Sequence, residues 1–139
     1  MCLWTKLSDE KLTQAKAKLP KRLVVWKVCT KWFNGRYGPA YTNMQERFYA
    51  GWQHAATSVV VRDLSGDHYW SGFHAFLTRR DARAFRQPGS RDVVLHCEAY
   101  RKDITAIGTQ DRARCIVLGR VKFPPQCGRR PRKKTGEKS

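Results

Sequence analysis

The sequence predicts an α+β single domain with a largely antiparallel sheet of about five to seven strands, two or three short helices and a disordered basic C-terminal tail. Segments rich in β-branched and aromatic residues recur along the chain, and most are joined by short turns, which favours antiparallel strands. Helical signals are fewer and shorter. The 139 residues include five Trp, five Tyr and six Phe, which is sufficient for one hydrophobic core.

The chain divides into a lead-in with a helix over residues 1–21, a core domain over 22–123 and a tail over 124–139. Ser8 can cap a helix that runs to about Leu19, because acidic residues occupy its first turn and a proline follows it. The apolar stripe of this helix is thin, so we expect it to pack on the outside of the core domain.

The core domain begins with a strand over residues 23–33. Asn34-Gly35 is the strongest hairpin signal of the chain, and the return strand is expected over residues 36–42. Residues 43–56 are ambiguous, because apolar residues recur there at a helical spacing that a glycine interrupts. A capping box predicts a short helix over residues 78–86. Further strands are expected over residues 57–64, 68–77, 93–100, 104–107 and 113–123, with turns at 65–67 and 108–111.

The tail begins at two consecutive prolines, where we expect folded structure to end. Residues 124–139 contain six Lys and Arg against one acid, and such a segment is expected to be disordered. Deletion of residues 125–139 should therefore leave the melting temperature of the domain nearly unchanged.

The formal net charge of +17 indicates a polyanionic partner. Twenty-eight Lys and Arg stand against eleven Asp and Glu, and most of the excess lies in the core domain rather than in the tail. We expect the partner to be a nucleic acid or an acidic or nucleoprotein partner. The sequence indicates neither the identity of that partner nor the oligomeric state.

Composition also predicts a cytoplasmic protein with no membrane partner. No apolar run is long enough to span a bilayer, and no signal peptide precedes the first acidic residues. The five cysteines are odd in number and form no CxxC pair, which favours free thiols in a reducing compartment. Phosphate-loop, dinucleotide and zinc-protease motifs are missing, so we expect no cofactor, no metal and no catalytic residue.

The main candidate site is the helix over residues 78–86. Arg79, Arg83 and Arg86 fall within one sector at 100° per residue, and Arg80 lies at its flank. Guanidinium groups bind phosphates bidentately, so this face is expected to contact the partner. The alternative is a solvated face that only keeps the protein soluble.

Two further groups of residues are candidates for binding. Cations beside aromatic rings can hold single strands by stacking, although most aromatic residues of a small domain belong to its core. Cations of the tail can add affinity without specificity, unless the tail only solubilises the protein. These residues are Lys31, Trp32 and Arg36 in the first group, and Arg129, Arg130, Arg132, Lys133 and Lys134 in the second.

His74 is the histidine whose role is most open. It lies in a predicted strand just before a helix, where an imidazole can bond nearby backbone, so we expect a structural role rather than a catalytic one.

Residues 72–82, which read Gly-Phe-His-Ala-Phe-Leu-Thr-Arg-Arg-Asp-Ala, resemble a motif of small uncharacterised phage and prophage proteins. In those proteins a Gly-Phe-His-x-Phe strand leads into a short helix. Val-Val-Trp-Lys-Val at 24–28, Tyr-Ala-Gly at 49–51 and the strands within 93–123 are similar to their other elements. The resemblance implies an intracellular product of a mobile element with no assigned activity.

The same order of elements also resembles ADP-ribosyltransferase domains. The similarity lies in residues 72–76 and in Val-Leu-His-Cys-Glu at 94–98. It implies an NAD-dependent transferase. However, residues 113–123 lack the late catalytic Glu of that family, and Lys27 stands where an Arg or His would bind the dinucleotide.

Three function hypotheses follow. The first is a small intracellular polyanion-binding protein, encoded by a phage or prophage, that acts non-catalytically on nucleic acid or on a host nucleoprotein machine, for example as an inhibitor of a host defence complex. The alternatives are an NAD-dependent ADP-ribosyltransferase or a degenerate relative, and a structural component of a ribonucleoprotein or virion. An enzyme is the less favoured class.

Overall fold

The computed structural model describes residues 3, 5–32, 35–39, 47–55, 60–63, 66, 68–86, 89–110 and 113–130. Single turns of 3₁₀ helix occupy Arg101–Asp103 and Pro125–Cys127. The remaining elements, in chain order, are β1 (Thr5–Lys6), α1 (Asp9–Ala17), β2 (Arg22–Lys31), β3 (Tyr37–Pro39), β4 (Gly51–His54), β5 (Val60–Arg62), β6 (His68–Trp70), β7 (Phe73–Phe76), α2 (Arg79–Phe85), β8 (Asp92–Tyr100), β9 (Ile104–Gln110), β10 (Ala113–Leu118) and β11 (Arg120–Phe123).

One large antiparallel sheet organises the molecule. Within the described residues it has nine strands, in the order β1-β9-β10-β7-β2-β8-β11-β4, and β3 pairs with the end of β2. Strands β5 and β6 form a separate two-stranded sheet. The α+β class and the antiparallel character are confirmed, whereas the predicted count of five to seven strands is wrong.

The count is wrong because two predicted strands each divide into two, and because β1 and β4 lie where no strand was predicted. Residues 68–77 contain β6 and β7, which belong to different sheets, and residues 113–123 contain β10 and β11, which pair with different neighbours. Gly72 marks the first division, since a Cβ there would lie 2.5 Å from the carbonyl oxygen of Leu118. Alternating hydrophobicity predicts that a segment is extended, but it does not record where the segment changes partner.

The predicted turn at residues 108–111 is also wrong, since β9 continues to Gln110. Gly108 is a strand residue whose missing side chain leaves room for β1. A Cβ on Gly108 would overlap the carbonyl oxygen of Thr5, and Lys6 pairs with Gly108 in the register. Glycine at a close backbone approach looks the same in sequence as glycine in a turn.

The other expected elements match in type. Ser8 caps α1 by accepting a hydrogen bond from the Lys11 amide, although α1 ends at Ala17 rather than Leu19. The hairpin joins β2 to β3, and the ambiguous segment contains a strand, β4. The parts of predicted elements at residues 33–34, 40–46, 56–59, 64–65, 67 and 111 lie outside the described residues. No described helix has both the length and the apolar character needed to span a membrane.

The pairing of β2 with β8 divides the interior into two layers. These strands pair from Arg22 opposite Tyr100 to Thr30 opposite Asp92, so their side chains alternate in step. Leu95 and alternate residues of β8 are buried on one face, which also packs against partly buried residues of α1. The opposite face packs against α2, but only in part.

Folded structure continues beyond the predicted boundary at residue 124. Cys127 is 2% exposed within the core, and the Gly128 carbonyl accepts a hydrogen bond from the Ala50 amide at 2.8 Å. The predicted end of the domain is therefore wrong, because a single buried residue after two prolines gives no periodic signal. The tail was predicted to be disordered over residues 124–139, and of these residues 131–139 lie outside the described residues.

Candidate nucleic-acid interface

Helix α2 presents the predicted arginines to solvent. Thr78 caps the helix by accepting a hydrogen bond from the Asp81 amide at 3.2 Å. Ala82 is fully buried, and the Phe85 ring centroid lies 5.3 Å from that of Phe76 in β7. Through these contacts, one side of α2 packs against the sheet. The exposed arginines of α2 are Arg79, Arg80 and Arg83.

Arg86 does not share the helical sector assigned to it. It caps the C-terminus of α2 in an extended conformation, with φ −62° and ψ 133°. There it lines an open groove of about 640 Å³ with Lys31 and Trp32 at the end of β2, and with Arg91 beside them. The structure thus brings together predicted cations that lie far apart in the sequence.

The remaining predicted residues lie elsewhere. Arg36 is exposed in the hairpin, where its carbonyl accepts a hydrogen bond from the Trp32 amide at 2.8 Å. Arg129 and Arg130 are exposed near the β4 edge, and the Arg130 guanidinium carbon lies 5.1 Å from the ring centroid of Tyr49. Arg132, Lys133 and Lys134 lie outside the described residues.

A second surface, which we call the open face, is the part of the sheet beside α2 that the described helices leave uncovered. A row of paired residues crosses it from β2 to β4: Val24 is opposite Glu98, and Lys122 is opposite both Glu98 and Trp52. Val24 is 47% exposed and Trp52 37%. We define the open face by Arg22, Val24, Trp26, Trp52, His96, Glu98, Tyr100, Arg120 and Lys122.

An aromatic pair with a fixed cation dominates one end of the open face. The rings of Trp52 and Tyr100 are 9° from parallel, with centroids 5.0 Å apart. The guanidinium carbon of Arg120 lies 4.7 Å from the Trp52 centroid and 5.4 Å from the Tyr100 centroid. Arg120 Nε is held by Asp103 Oδ2 at 3.2 Å. We call Trp52, Tyr100 and Arg120 the stacked trio.

Trp26 links the open face to α2. Its ring meets the His96 ring edge to face, with centroids 4.9 Å apart and an interplanar angle of 77°. The Arg79 guanidinium carbon lies 5.8 Å from the Trp26 centroid. This cation–π contact makes the arginines of α2 and the open face one continuous surface.

The acid on the open face is neutralised by cations. Glu98 Oε2 accepts a hydrogen bond from Arg22 Nη2 at 3.0 Å and lies 3.4 Å from Lys122 Nζ. The hydrogen bond from Arg22, together with the charges of both cations, lowers the pKa of Glu98. Two cations around one carboxylate leave the local charge positive.

His74 has a structural environment. It is 7% exposed, and its Nδ1 lies 3.2 Å from the Gly72 carbonyl oxygen. Because the Gly72 carbonyl can only accept, Nδ1 carries the imidazole proton, and the unprotonated Nε2 accepts a hydrogen bond from the Tyr69 hydroxyl at 3.2 Å. The same hydroxyl accepts a hydrogen bond from the Leu3 amide at 2.8 Å. Burial, followed by the nearby charge of Lys27, lowers the pKa of His74 to about 3. The expected bond to nearby backbone is confirmed.

Lys27 and the described cysteines are interior groups. Lys27 is 6% exposed, donates to the His74 carbonyl at 3.0 Å, and lies between 5 and 6 Å from the ring centroids of Phe48 and Phe73. The described cysteines are buried free thiols, and burial raises the pKa of Cys97 to about 12. The described residues contain no cluster of His, Cys, Asp or Glu arranged to hold a metal.

Comparison with family models, with curated proteins and with solved structures found no match. The resemblances to phage or prophage proteins and to ADP-ribosyltransferases therefore stay predictions from the sequence. Function has to be argued from the residues themselves.

The open face could not be predicted from the sequence, because the residues of this face come from four separate strands. Only the alternation in β8 gave a local signal, since His96, Glu98 and Tyr100 share a face that is less apolar than its opposite. The signal was incomplete because Trp52 and Arg120 join that face only through the pairing of β11 with its two neighbours.

Proposed function

We propose that this protein binds nucleic acid through α2, the adjoining groove and the open face, and that it acts by binding rather than by catalysis. The observation that carries the proposal is the contact between Arg79 and Trp26, which joins the predicted arginines to an exposed basic and aromatic sheet surface. Aromatic rings interleaved with cations suit nucleic acid, since the cations contact phosphates and the rings contact bases.

The positions of the cations along α2 form a continuous path that suits a phosphate backbone. Helix α2 runs alongside β2, with Arg79 over Trp26 near its start and Arg86 in the groove with Lys31 and Trp32 at its end. The cations of this path stand on a helix, a helix cap and a strand end, so their positions are set by packed backbone. The net charge of +17 provides long-range attraction to such a ligand.

The proposal includes a nucleoprotein machine as target, because the same surface could engage its nucleic acid. An origin in a phage or prophage rests on the sequence resemblance alone, and a structural role in a ribonucleoprotein or virion would differ mainly in stoichiometry. No observation on the described residues favours the transferase hypothesis. Lys27, which would take the dinucleotide-binding position, points into the core.

Charge reversal on α2 tests the proposal. Arg79→Glu with Arg83→Glu should weaken nucleic-acid binding by roughly 2–4 kcal/mol and reduce its dependence on salt, because phosphate contacts release counterions. Fluorescence anisotropy with a labelled oligonucleotide at two salt concentrations measures both quantities. Lys11→Glu with Lys18→Glu is the matched control, since both lysines are exposed on α1 or its C-cap and α1 packs on the opposite face of the sheet.

Equal loss in both double variants would show that net charge alone attracts the ligand. Unchanged binding in the Arg79/Arg83 variant would show that this face of α2 is only solvated. Either outcome would contradict the proposed site, and a wild-type protein that binds no nucleic acid would contradict the function itself.

A further inference from the structure

The stacked trio places large flat aromatic rings at the surface, whereas several other aromatic rings of this chain are buried in the core. Trp52 keeps 37% of its area exposed, while Phe48, Phe76 and Phe123 are each about 1% exposed. The two rings of the trio are nearly parallel, and a guanidinium fixed by a carboxylate lies against both. Their orientation is therefore set before any ligand arrives.

The surroundings of the stacked trio identify the chemistry of a ligand. A flat apolar ring surface beside Lys122 and Arg120 suits a ligand that is itself flat, apolar on its faces and negatively charged nearby. Unpaired nucleobases on a phosphate backbone have these properties. In a duplex the base faces are already stacked on each other, so a sheet surface cannot reach them.

The width of the open face suits more than one base. Trp26 lies on β2 and Trp52 on β4, and the strand order places two strands between them. At the usual strand spacing this separation is roughly 14 Å. Trp26 and the stacked trio are therefore separate ring platforms with basic residues around each.

We infer that the open face is a single-strand binding site, on which unpaired bases stack on the stacked trio and on Trp26 while Arg79 and Lys122 contact the phosphates. The inference rests on the proposed function and specifies its ligand as single-stranded nucleic acid. In this arrangement, α2 lies at the edge of the binding site and contributes positive charge, and the open face is the centre of the site.

Binding of single-stranded and duplex oligonucleotides of about 12 nucleotides, measured by anisotropy on the full chain, tests the inference. Trp52→Ala should weaken single-strand binding roughly 5- to 100-fold, with a smaller effect on duplex binding. Trp52→Phe should retain most of the affinity, because it keeps a ring. Trp70→Ala is the matched control: Trp70 is 55% exposed but belongs to the separate two-stranded sheet.

The outcomes separate the inference from the function on which it rests. Single strands bound equally by wild type and by the Trp52→Ala variant would overturn the inference and leave nucleic-acid binding intact. Equal losses for single strands and duplexes would also overturn it. Wild-type protein that binds neither form would overturn both. Circular dichroism of each variant excludes unfolding as the cause, and ribose and deoxyribose strands run in parallel show which sugar the site accepts.

Discussion

At the scale of single residues, His74 illustrates a side chain whose role follows from its partners. Its two ring nitrogens are both engaged, one with Tyr69 and one with the Gly72 carbonyl, and the neutral ring fits this arrangement. A protonated ring would carry a second N–H towards a hydroxyl that already accepts the Leu3 amide. The arrangement therefore disfavours charge on His74 in the folded protein, in line with its lowered pKa.

Acid should destabilise the protein through His74. The folded pKa of about 3 lies below the ordinary value of 6.5, so the stability that the neutral ring contributes is present above pH 6.5 and is lost as the pH falls. The free energy of unfolding should drop by about 2 kcal/mol between pH 7 and pH 5, because the unfolded chain binds a proton that the folded one does not. Urea unfolding at both values measures this difference.

The His74→Gln variant is expected to be less stable at pH 7 and to lose most of this pH dependence. His96→Gln, which changes an exposed histidine, should keep it. A wild-type slope in His74→Gln would assign the effect to another group. Glu98, whose pKa is lowered, loses its contribution only below pH 4.5 and does not interfere in this range.

At the scale of elements, glycine decides where strands can approach each other. Gly108 admits β1 to the edge of β9, and Gly72 lies against the backbone of Leu118 where β6 gives way to β7. These contacts explain two errors of the sequence-based prediction, since a turn was expected at residues 108–111 and one unbroken strand over 68–77. By contrast, the hairpin and the helix caps were predictable, because their signals lie within a few residues.

Gly108→Ala should displace β1 from the sheet. The new Cβ would overlap the Thr5 carbonyl oxygen, and we expect a loss of roughly 1–3 kcal/mol in the free energy of unfolding. Hydrogen exchange should show faster exchange of the Leu7 amide, which bonds the Ile107 carbonyl at 2.8 Å. Gly119→Ala is the control, because the nearest atom to its Cβ lies 4.0 Å away. Equal effects of the two substitutions would contradict the role given to Gly108.

At the scale of the whole molecule, the charge and the fold class were predictable from the sequence, but the proposed interface was only partly predictable. The expectation of a basic surface followed from composition, and the exposed arginines of α2 followed from helical spacing. The open face depends on a strand order that places β11 between β4 and β8. That order joins Trp52 to Tyr100, 48 positions apart, and no local pattern in the sequence specifies it.

Two deletions should separate the tail from the fold. Removal of residues 131–139 takes away four Lys and Arg and one acid, so it should reduce the salt dependence of binding and leave the melting temperature nearly unchanged. Removal of residues 125–139 also removes buried Cys127 and the Gly128 carbonyl bonded to Ala50. It should lower the melting temperature by roughly 5–10 °C, contrary to the expectation from sequence.

Calorimetry of both truncated proteins against the full chain measures these shifts. Equal melting temperatures for the two deletions would show that Cys127 contributes little to the core. A large drop for the shorter deletion would place structural contacts within residues 131–139.

During synthesis, β2 leaves the ribosome long before its main partner. Strand β3 can pair only with Cys29, Thr30 and Lys31, and β8 follows about 60 residues later, which takes roughly 3–12 s at usual elongation rates. Until β8 follows, one edge of the segment from Arg22 to Val28 is unpaired, and residues 23–26 and 28 are apolar, a combination that favours aggregation. In the folded protein Lys27 is a buried cation that contacts two phenylalanine rings. Before β8 is synthesised, it places a charge within the unpaired segment, and such a charge opposes association with other chains.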